Sequence, residues 1–364
     1  MIDYLVVGAG LSGATFAHFA ARAGKRVVVI DRRPHIAGNA FTERIDGIDV
    51  HRYGPHIFHT NDRDVWEFIT RFGTFLPYRH RGRSRVGGTL YPFPINLLTL
   101  NQVFRVTTPA EAEATLAAER VPIESPANLE EYALSRIGER LYRLFIHGYT
   151  TKQWGREPRD LPASILKRIP VKFTPDDAWF SDAYQGIPAD GYTALVERML
   201  DGIPLELGVD YHANPGRFRA RKTVYTGPID RFFEFAFGRL EYRSLRFEQR
   251  TLETPDFQGT AIVNHPDLDV PYTRVVEHKH FTGISSARTI VTWEHPVADP
   301  DAREPYYPVN DDRNAALYRR YREAADQRGD TIFLGRLARY SYFDMHQVIG
   351  AAMKTAQDEF GLRA

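Results

Sequence analysis

The sequence predicts a protein of the α/β class that contains a parallel-sheet domain, an inserted helical region and a second, antiparallel sheet. Three observations support this prediction. A strand pattern with a glycine-rich turn opens the chain, apolar residues recur at helical spacing over residues 98–160, and short β-rich runs extend from about 220 to 295. With 364 residues, the chain is long enough for two or three domains.

The first 31 residues have the pattern of a βαβ unit. One apolar run ends at Gly8, a helix-like stretch begins near Gly13, and a second apolar run ends at Asp31. Gly8 permits a tight turn, Gly10 leaves room for a pyrophosphate, and Gly13 lets the helix lie close to the sheet. The helix N-terminus then faces the phosphates, and Asp31 is placed to bind a ribose. The pattern indicates a Rossmann-like dinucleotide-binding domain; the alternative is an ordinary βαβ unit.

The helical region has recognisable starts. Thr108 and Glu111 form a capping box around Pro109, which predicts a helix to about Arg120. Asn128 is the predicted cap of the next helix. Apolar residues at helical spacing form one stripe on that helix: Leu129, Tyr132, Ala133, Ile137, Leu141, Leu144 and Phe145. Prolines at 158, 162, 170 and 175 predict a flexible segment after it.

The β-rich region is predicted from runs at 223–226, 240–251, 260–264 and 289–293, which favour an antiparallel sheet. Arginines alternate over residues 78–85, and a solvated strand face is favoured over a nucleic-acid patch. Residues 331–334 predict a buried strand. Asp344 is a plausible cap for the last helix, with Ile349, Met353 and Phe360 at apolar positions. This final strand and helix are expected to return to the nucleotide domain.

The predicted domain boundaries follow from these patterns. The dinucleotide-binding domain is discontinuous, with residues 1–77, 190–235 and 330–364. The helical domain covers residues 98–180, with a mobile loop near 161–180. The antiparallel sheet domain, expected to bind substrate, covers residues 78–97 and 236–329.

Composition excludes several classes of function. Lys and Arg total 47 against 46 Asp and Glu, and the net charge of +1 argues against nucleic-acid partners or broad membrane attraction. With no cysteine, the chain has no disulfide and no thiolate chemistry. No apolar run reaches membrane-spanning length, so a soluble, cytoplasmic protein without membrane insertion is expected. His51, His56 and His59 suggest a metal, but no nearby carboxylate completes the set, and none is expected.

Six loop motifs occur in series along the chain. They are GPHIFHT (54–60), GYTTKQWG (148–155), LPASILKR (161–168), VPYTR (270–274), EPYYP (304–308) and GRLARYSYFD (335–344). In order and spacing they resemble the prokaryotic UDP-galactopyranose mutases, which are FAD enzymes of cell-envelope galactofuranose biosynthesis. The resemblance covers almost the whole chain.

The resemblance implies that the protein interconverts UDP-galactopyranose and UDP-galactofuranose, with FAD active when reduced. In the family, N5 of the reduced flavin is the nucleophile at the anomeric carbon and displaces UDP. The sugar recloses as a furanose and UDP returns. A homo-oligomer, dimeric or larger, is expected from the same resemblance.

The resemblance also implies substrate-binding residues. Arg168, on the mobile loop, and Arg274 match the arginines that hold the diphosphate. Loop closure around Arg168 is expected to exclude water. The remaining matches are phosphate-contacting Tyr149, Tyr307 and Tyr342, Trp154 near the sugar, Trp179 stacked on uracil where a tyrosine is common, Phe180 and Asn264 in the uridine pocket, and Thr150 on the nucleotide.

For the cofactor, His56 matches the histidine close to the reactive edge of the flavin, and Arg336 is expected to face the FAD pyrophosphate. The implied FAD-binding residues are Gly8, Gly10, Ser12, Gly13, Asp31, Arg32, Gly38, Asn39, His56, Ile57, Arg336, Asp344 and Met345. Three positions depart from the family: Ala37 replaces the first glycine of a Gly-Gly-Asn turn, Lys172 replaces an arginine, and Ile146 a phenylalanine. The first bears on the loop beside the flavin.

Two other functions remain open from the sequence. A flavin oxidoreductase related to amine oxidases shares the N-terminal fingerprint. A sugar-nucleotide-binding protein without catalytic activity is the other. A flavin oxidoreductase would consume an electron acceptor, which a mutase does not. A non-catalytic binding protein would bind UDP but would not convert the sugar even with reduced flavin.

Overall fold

A computed structural model describes residues 1–167, 169–213, 216–297 and 304–362. The strands, in chain order, are β1 (Ile2–Val7), β2 (Val27–Asp31), β3 (Thr42–Ile45), β4 (Ile48–His51), β5 (Phe58–Thr60), β6 (Phe75–Pro77), β7 (Arg83–Val86), β8 (Thr89–Pro92), β9 (Tyr184–Pro188), β10 (Leu205–Leu207), β11 (Ala220–Tyr225), β12 (Tyr242–Leu252), β13 (Ile262–Asn264), β14 (Arg274–Glu277), β15 (Thr289–Val297), β16 (Tyr307–Pro308) and β17 (Thr331–Phe333). The helices are α1 (Leu11–Arg22), α2 (Arg63–Ile69), α3 (Leu97–Phe104), α4 (Pro109–Glu119), α5 (Leu129–Leu141), α6 (Gly148–Trp154), α7 (Gly191–Met199), α8 (Ile229–Phe232), α9 (Lys279–Thr282), α10 (Asp312–Asp326), α11 (Gly335–Ala338) and α12 (Met345–Phe360).

The chain divides into two compact units. Unit 1 contains residues 1–77, 182–242 and 305–364, and unit 2 contains residues 78–181 and 243–304. Among the described residues, no helix is both long enough and apolar enough to cross a membrane.

Unit 1 is built on a five-stranded parallel sheet with strand order β10-β2-β1-β11-β17. This is the predicted Rossmann-like sheet, and its central strand β1 is buried over residues 4–6, as expected of a parallel strand covered on both faces. A hairpin of β3 and β4 and a small sheet with order β5-β9-β6 complete the unit. The run at 223–226, predicted for an antiparallel sheet, belongs instead to this parallel sheet, where β11 pairs with β1 and β17.

The C-terminal strand and helix return to this sheet as predicted. β17 lies at its edge, and α12 packs against α1. The rings of Tyr4, Phe16 and Phe360 form one cluster with centroids 5.4–5.6 Å apart, and the Tyr4 hydroxyl donates to Glu359 (2.6 Å). The end of the chain therefore stabilises the strand that carries the glycine-rich turn.

Unit 2 combines a mainly antiparallel sheet with a helical layer. Its strands follow the order β12-β15-β14-β13-β7-β8, and only the β13–β7 pair is parallel among the described pairings. The predicted caps are confirmed: Thr108 and Glu111 form the capping box of α4, and Asn128 accepts from the Glu131 N–H at the start of α5. Apolar side chains of α3, α4 and α5 share one core.

These units differ from the predicted domains in two places. The helical region and the sheet are not separate, because Val86 and Tyr91 of the β7–β8 hairpin pack into the core of the helices. Residues 236–242 and 305–329 belong to unit 1 and not to the sheet domain. The reason is α10, whose Tyr321 is fully buried against aromatic residues of unit 1, including Phe233 and Phe237.

Candidate active site

The turn between β1 and α1 is shaped by close backbone contacts. Gly8 has φ +112°, and a Cβ there would lie 1.9 Å from Thr226 Oγ1. A Cβ on Gly13 would lie 1.9 Å from the Gly8 carbonyl oxygen, so α1 packs directly on the turn. The N-cap of α1 is Gly10, which has no side chain to cap the first N–H groups. The helix N-terminus is therefore suited to bind phosphate, next to the buried Ser12.

Asp31 connects the end of β2 to this turn. One carboxylate oxygen accepts from the Ala9 N–H (2.7 Å), and the other accepts from the Arg33 N–H (2.9 Å). The following residue, Arg32, is exposed. Asp31 is half-buried, and a carboxylate oxygen has the capacity to accept a second hydrogen bond. It can therefore fix the turn and still bind a ribose.

The loop after β2 lies against the same turn. Ala37 donates its N–H to the Ala9 carbonyl (2.9 Å) and adopts φ +68°, a left-handed conformation that is unfavourable for alanine. A Cβ on Gly10 would lie 3.6 Å from Gly38 Cα, and Asn39 accepts from Arg33 (2.9 Å). The alanine in place of the family's glycine does not prevent this loop from reaching the glycine turn.

His56 is held by three contacts within unit 1. Its Nδ1–H donates to the Gly54 carbonyl (2.8 Å), since a carbonyl only accepts. Its backbone N–H donates to His51 Nδ1 (3.0 Å), and its carbonyl accepts from the Tyr192 hydroxyl (3.2 Å). Ile57 follows it and is half-buried. The ring orientation of His56 is thus fixed by the fold.

Three predicted residues from distant parts of the chain meet in unit 1. The rings of Tyr307 and Tyr342 stack with centroids 5.5 Å apart, and the Arg336 guanidinium lies 5.8 Å and 5.1 Å from them. Arg336 also donates to the Phe343 carbonyl (3.1 Å). This arrangement places a cation and two phenols side by side.

The next two predicted residues form a helix start. Asp344 is the N-cap of α12, where its N–H donates to Gln347 Oε1 (2.8 Å), and Met345 is the first helical residue. The predicted cap of the last helix is therefore confirmed.

In unit 2, Arg274 lies in a row across neighbouring strands. Asn264 on β13 is directly opposite Arg274 on β14, and Arg274 is directly opposite Glu294 on β15. Arg274 Nε donates to Glu294 Oε2 (2.7 Å), and the Glu294 side chain is 1% exposed while that of Arg274 is 23% exposed. Burial raises the pKa of Glu294, and the Arg274 charge opposes that shift. A buried carboxylate thus orients a partly exposed guanidinium.

Helix α6 presents Tyr149 and Trp154, both half-buried, and Thr150, which is buried. Lys152 fixes this helix, because its Nζ lies 2.6–2.9 Å from the carbonyl oxygens of His265, Asp267, Val270 and Tyr272, which share its three N–H donors. These carbonyls belong to the loop that leads into β14. Burial lowers the pKa of Lys152 to about 8. The motif that carries the tyrosine and tryptophan is therefore tied to the strand that carries Arg274.

Trp179 packs on the backbone of a neighbouring segment. A Cβ on Gly82 would lie 3.2 Å from the indole, and the ring of Phe93 lies 5.6 Å from it. The backbone N–H of Trp179 donates to the backbone carbonyl of His80 (2.7 Å). Lys172 closes the preceding turn by donating to Asp176 (2.8 Å) and the Ala178 carbonyl (2.7 Å). The half-buried indole is fixed, and Phe180 follows it.

One predicted residue and two missed residues complete this account. Arg168 lies outside the described residues. The sequence reasoning missed Glu294 and His80, which contact Arg274 and Trp179 respectively. Glu294 directly follows the strand predicted over residues 289–293, and only strand register reveals its partner. His80 lies among alternating arginines that favoured a solvated face.

The described residues include one group with metal-ligating chemistry, and it contains none of the three histidines considered in the sequence analysis. Asp256, Glu277 and His280 have ligand atoms within 4.8 Å of one another. Glu277 already accepts from the Phe257 and Gln258 N–H groups and from Thr289. The Lys279 ammonium lies 3.5 Å from Asp256, so hydrogen bonds and ion pairs account for the group.

His59, one of the three histidines considered in the sequence analysis, lies 2.8 Å from the Asp182 carboxylate.

The comparisons with known proteins decide the family. The family model for UDP-galactopyranose mutase matches residues 144–342, and a model for NAD(P)-binding Rossmann-like domains matches residues 6–72. A probable UDP-galactopyranose mutase of Klebsiella pneumoniae is 42% identical over 98% of this chain and 94% of its own. The chain belongs to the UDP-galactopyranose mutase family. It is therefore an enzyme of the isomerase class.

Two further matches are with a curated relative and with solved structures. The dTDP-fucopyranose mutase of Escherichia coli is 40% identical over 98% of both chains. A solved structure of reduced UDP-galactopyranose mutase has a TM-score of 0.76, with 100% of this chain and 94% of that chain covered, at 14% identity. A putrescine oxidase structure has a TM-score of 0.59 at 16% identity, and these structural matches show the shared fold alone.

The cofactor of this family member is FAD, and the residues of unit 1 fit it. The α1 N-terminus offers backbone N–H groups without a capping side chain, and Gly10 leaves its approach open. Asp31 stands at the end of β2 beside this turn. Backbone donors, a close approach and an acid are the features that a dinucleotide requires.

Proposed function

We propose that this protein interconverts UDP-galactopyranose and UDP-galactofuranose. The observation that supports this proposal most strongly is Arg274, a partly exposed guanidinium held by a buried carboxylate within one of the family's motifs. Arginine binds a diphosphate bidentately, and a fixed guanidinium loses little conformational entropy on doing so. The 42% identity to the Klebsiella pneumoniae relative supports the sugar assignment.

When bound and reduced, FAD supplies the nucleophile, its N5 atom, at the anomeric carbon of the sugar. Arg274 stabilises the negative charge that develops on the diphosphate as UDP departs, and holds UDP for its return. Glu294 positions Arg274 for this task. The Tyr307 and Tyr342 hydroxyls donate hydrogen bonds to phosphate oxygens, and Arg168 is the proposed second arginine.

The remaining substrate contacts are proposed by their chemistry. Trp179 is the proposed stacking partner of the uracil. Its indole is held in place by Gly82 and Phe93, and an aromatic ring offers a flat face to a base. Phe180 and Asn264 line the uridine, and Thr150 contacts the nucleotide. Trp154 and Tyr149 lie on α6, with Trp154 assigned to the sugar and Tyr149 to a phosphate.

His56 is proposed to tune the flavin and not to attack the substrate. Its Nδ1–H donates to the Gly54 carbonyl, and this contact would hold the ring in one orientation when the flavin is bound. Arg336 and the first turn of α1 are proposed for the FAD pyrophosphate.

The experiment is a turnover assay on the purified holoenzyme. The bound flavin is reduced with dithionite, UDP-galactofuranose is supplied, and UDP-galactopyranose is followed by chromatography. We expect conversion only with reduced flavin and without consumption of an electron acceptor. Absence of product under reducing conditions contradicts the proposal. Stoichiometric use of an acceptor would indicate an oxidoreductase.

A second candidate substrate is dTDP-fucopyranose. The Escherichia coli relative with that name is nearly as similar and is matched over 98% of both chains. The same assay with both nucleotide sugars compares the two candidates. A kcat/KM higher for the dTDP-sugar would assign this chain to that substrate.

A further inference from the structure

One buried histidine of unit 2 lies among the proposed substrate residues but has no part in the function proposed above. His80 is 6% exposed. Its ring centroid lies 5.9 Å from that of Trp179 and 6.4 Å from that of Phe180. Its backbone carbonyl accepts a hydrogen bond from the backbone N–H of Trp179 (2.7 Å). His80 therefore forms part of the surface on which the proposed uracil-stacking residues lie.

The surroundings of His80 keep its ring neutral. Burial lowers its pKa to about 3, and the charges of Arg274 and Arg83 contribute to this shift. Each arginine has a carboxylate partner, Glu294 (2.7 Å) and Asp177 (2.9 Å) respectively. A neutral imidazole offers one N–H donor and one acceptor nitrogen.

Packing alone does not explain a histidine at this position. Its Nδ1 lies 3.3 Å from the Tyr78 hydroxyl, a long contact for one ring nitrogen. A phenylalanine would fill the same aromatic surroundings without placing a polar ring in them, and polar atoms cost free energy to bury unless they are hydrogen-bonded. The chemistry of the ring therefore favours a role toward a ligand.

We propose that His80 is a further substrate-binding residue, whose neutral imidazole hydrogen-bonds the nucleotide between the base on Trp179 and the diphosphate on Arg274. This inference rests on the function proposed above. Its basis is that the ring packs beside Trp179 and Phe180, and the lowering of its pKa by the Arg274 charge is consistent with it. In a nucleoside diphosphate, the ribose and the phosphate attached to it lie between those two groups, and both form hydrogen bonds.

The test is the dissociation constant of UDP, measured by titration calorimetry on the oxidised holoenzyme. We expect His80→Phe to weaken UDP binding roughly tenfold, since a net hydrogen bond is lost without loss of the ring. His80→Gln keeps a neutral donor and acceptor and should remain within about threefold of wild type. Should His80→Phe not give folded holoenzyme, His80→Met carries the same expectation.

His278→Phe is the matched control. His278 is also a buried histidine of unit 2, 1% exposed, and its Nε2 lies 2.8 Å from Thr292 Oγ1. The same chemical change there should leave UDP affinity unchanged. In steady state, His80→Phe should raise KM with kcat retained, because the nucleotide contact is present in both the ground state and the transition state.

The outcomes separate the two proposals. Wild-type enzyme that binds no UDP and has no turnover contradicts the proposed function. Wild-type enzyme that is active, with His80→Phe equal to it in UDP affinity and KM, overturns the role of His80 alone. An equal loss of affinity in His80→Phe and His278→Phe also overturns it, since a general effect on unit 2 would then be the cause.

Discussion

The sites proposed in units 1 and 2 are built from different parts of the polypeptide. In unit 1, the proposed cofactor site is mainly backbone: the turn at Gly8, the α1 N-terminus and the close approach of Gly13. In unit 2, the candidate site consists of side chains fixed by other side chains, such as Arg274 by Glu294. Backbone sites depend on glycines that are neighbours in sequence, whereas side-chain sites depend on strand register. A change in unit 1 should therefore remove the cofactor, and one in unit 2 should remove turnover.

The largest effect is expected from Gly13→Ala in unit 1. The new Cβ would lie 1.9 Å from the Gly8 carbonyl oxygen, so α1 must move away from the turn. We expect almost complete loss of FAD, measured as the flavin absorbance of the purified protein, and loss of all activity with it. Gly329→Ala is the control, because a Cβ there meets nothing within 4 Å. Retention of FAD by Gly13→Ala would contradict the backbone account.

A smaller but selective effect is expected from Glu294→Ala in unit 2. Arg274 loses its buried partner and its fixed orientation, and we expect kcat/KM to fall roughly 10- to 100-fold, about 1.4–3 kcal/mol, while FAD content is unchanged. Glu294→Gln keeps an acceptor for Arg274 Nε and should lose less than about tenfold.

The control for Glu294 is Glu253→Ala, whose carboxylate is 74% exposed and pairs with Arg288 at the surface. That variant should have wild-type kcat/KM, because surface ion pairs contribute little. If Glu294→Ala retains wild-type kcat/KM, the positioning role is wrong.

The same contrast explains what the sequence could predict. Local signals were sufficient for the caps at Thr108, Asn128 and Asp344, and for the Rossmann-like unit. Strand partners depend on contacts far apart in sequence. The run at 223–226 therefore read as antiparallel, although β11 completes the parallel sheet. Glu294 was missed for the same reason, since 20 residues separate it from Arg274 and only their direct pairing joins them.

Unit 2 should also show a specific pH dependence of stability. Burial lowers the pKa of His265 to about 4, below the usual 6.5. Between pH 6.5 and 4 the unfolded chain binds a proton that the folded chain does not, so the free energy of unfolding falls as pH falls. Urea unfolding at pH 6.5 and 5 should show wild type losing about 2 kcal/mol more than His265→Gln. Equal losses in both proteins would contradict this assignment.

The smallest expected effect lies in the loop beside the glycine turn. Ala37 has φ +68°, a conformation that costs alanine about 1 kcal/mol and glycine little. We expect Ala37→Gly to raise the free energy of unfolding by about 0.5–1 kcal/mol, measured by urea denaturation. Ala40→Gly, in the helical turn that follows, should lower it instead. A loss of stability in Ala37→Gly would show that the buried methyl group outweighs the backbone strain.

The most direct test of this division between the units is Arg274→Ala, with FAD content and turnover measured on the same preparation. The account predicts a full complement of FAD, an unchanged flavin spectrum, and a fall in kcat/KM for UDP-galactofuranose of at least about 100-fold with dithionite-reduced enzyme. Loss of FAD from this variant, or turnover close to wild type, would contradict the account.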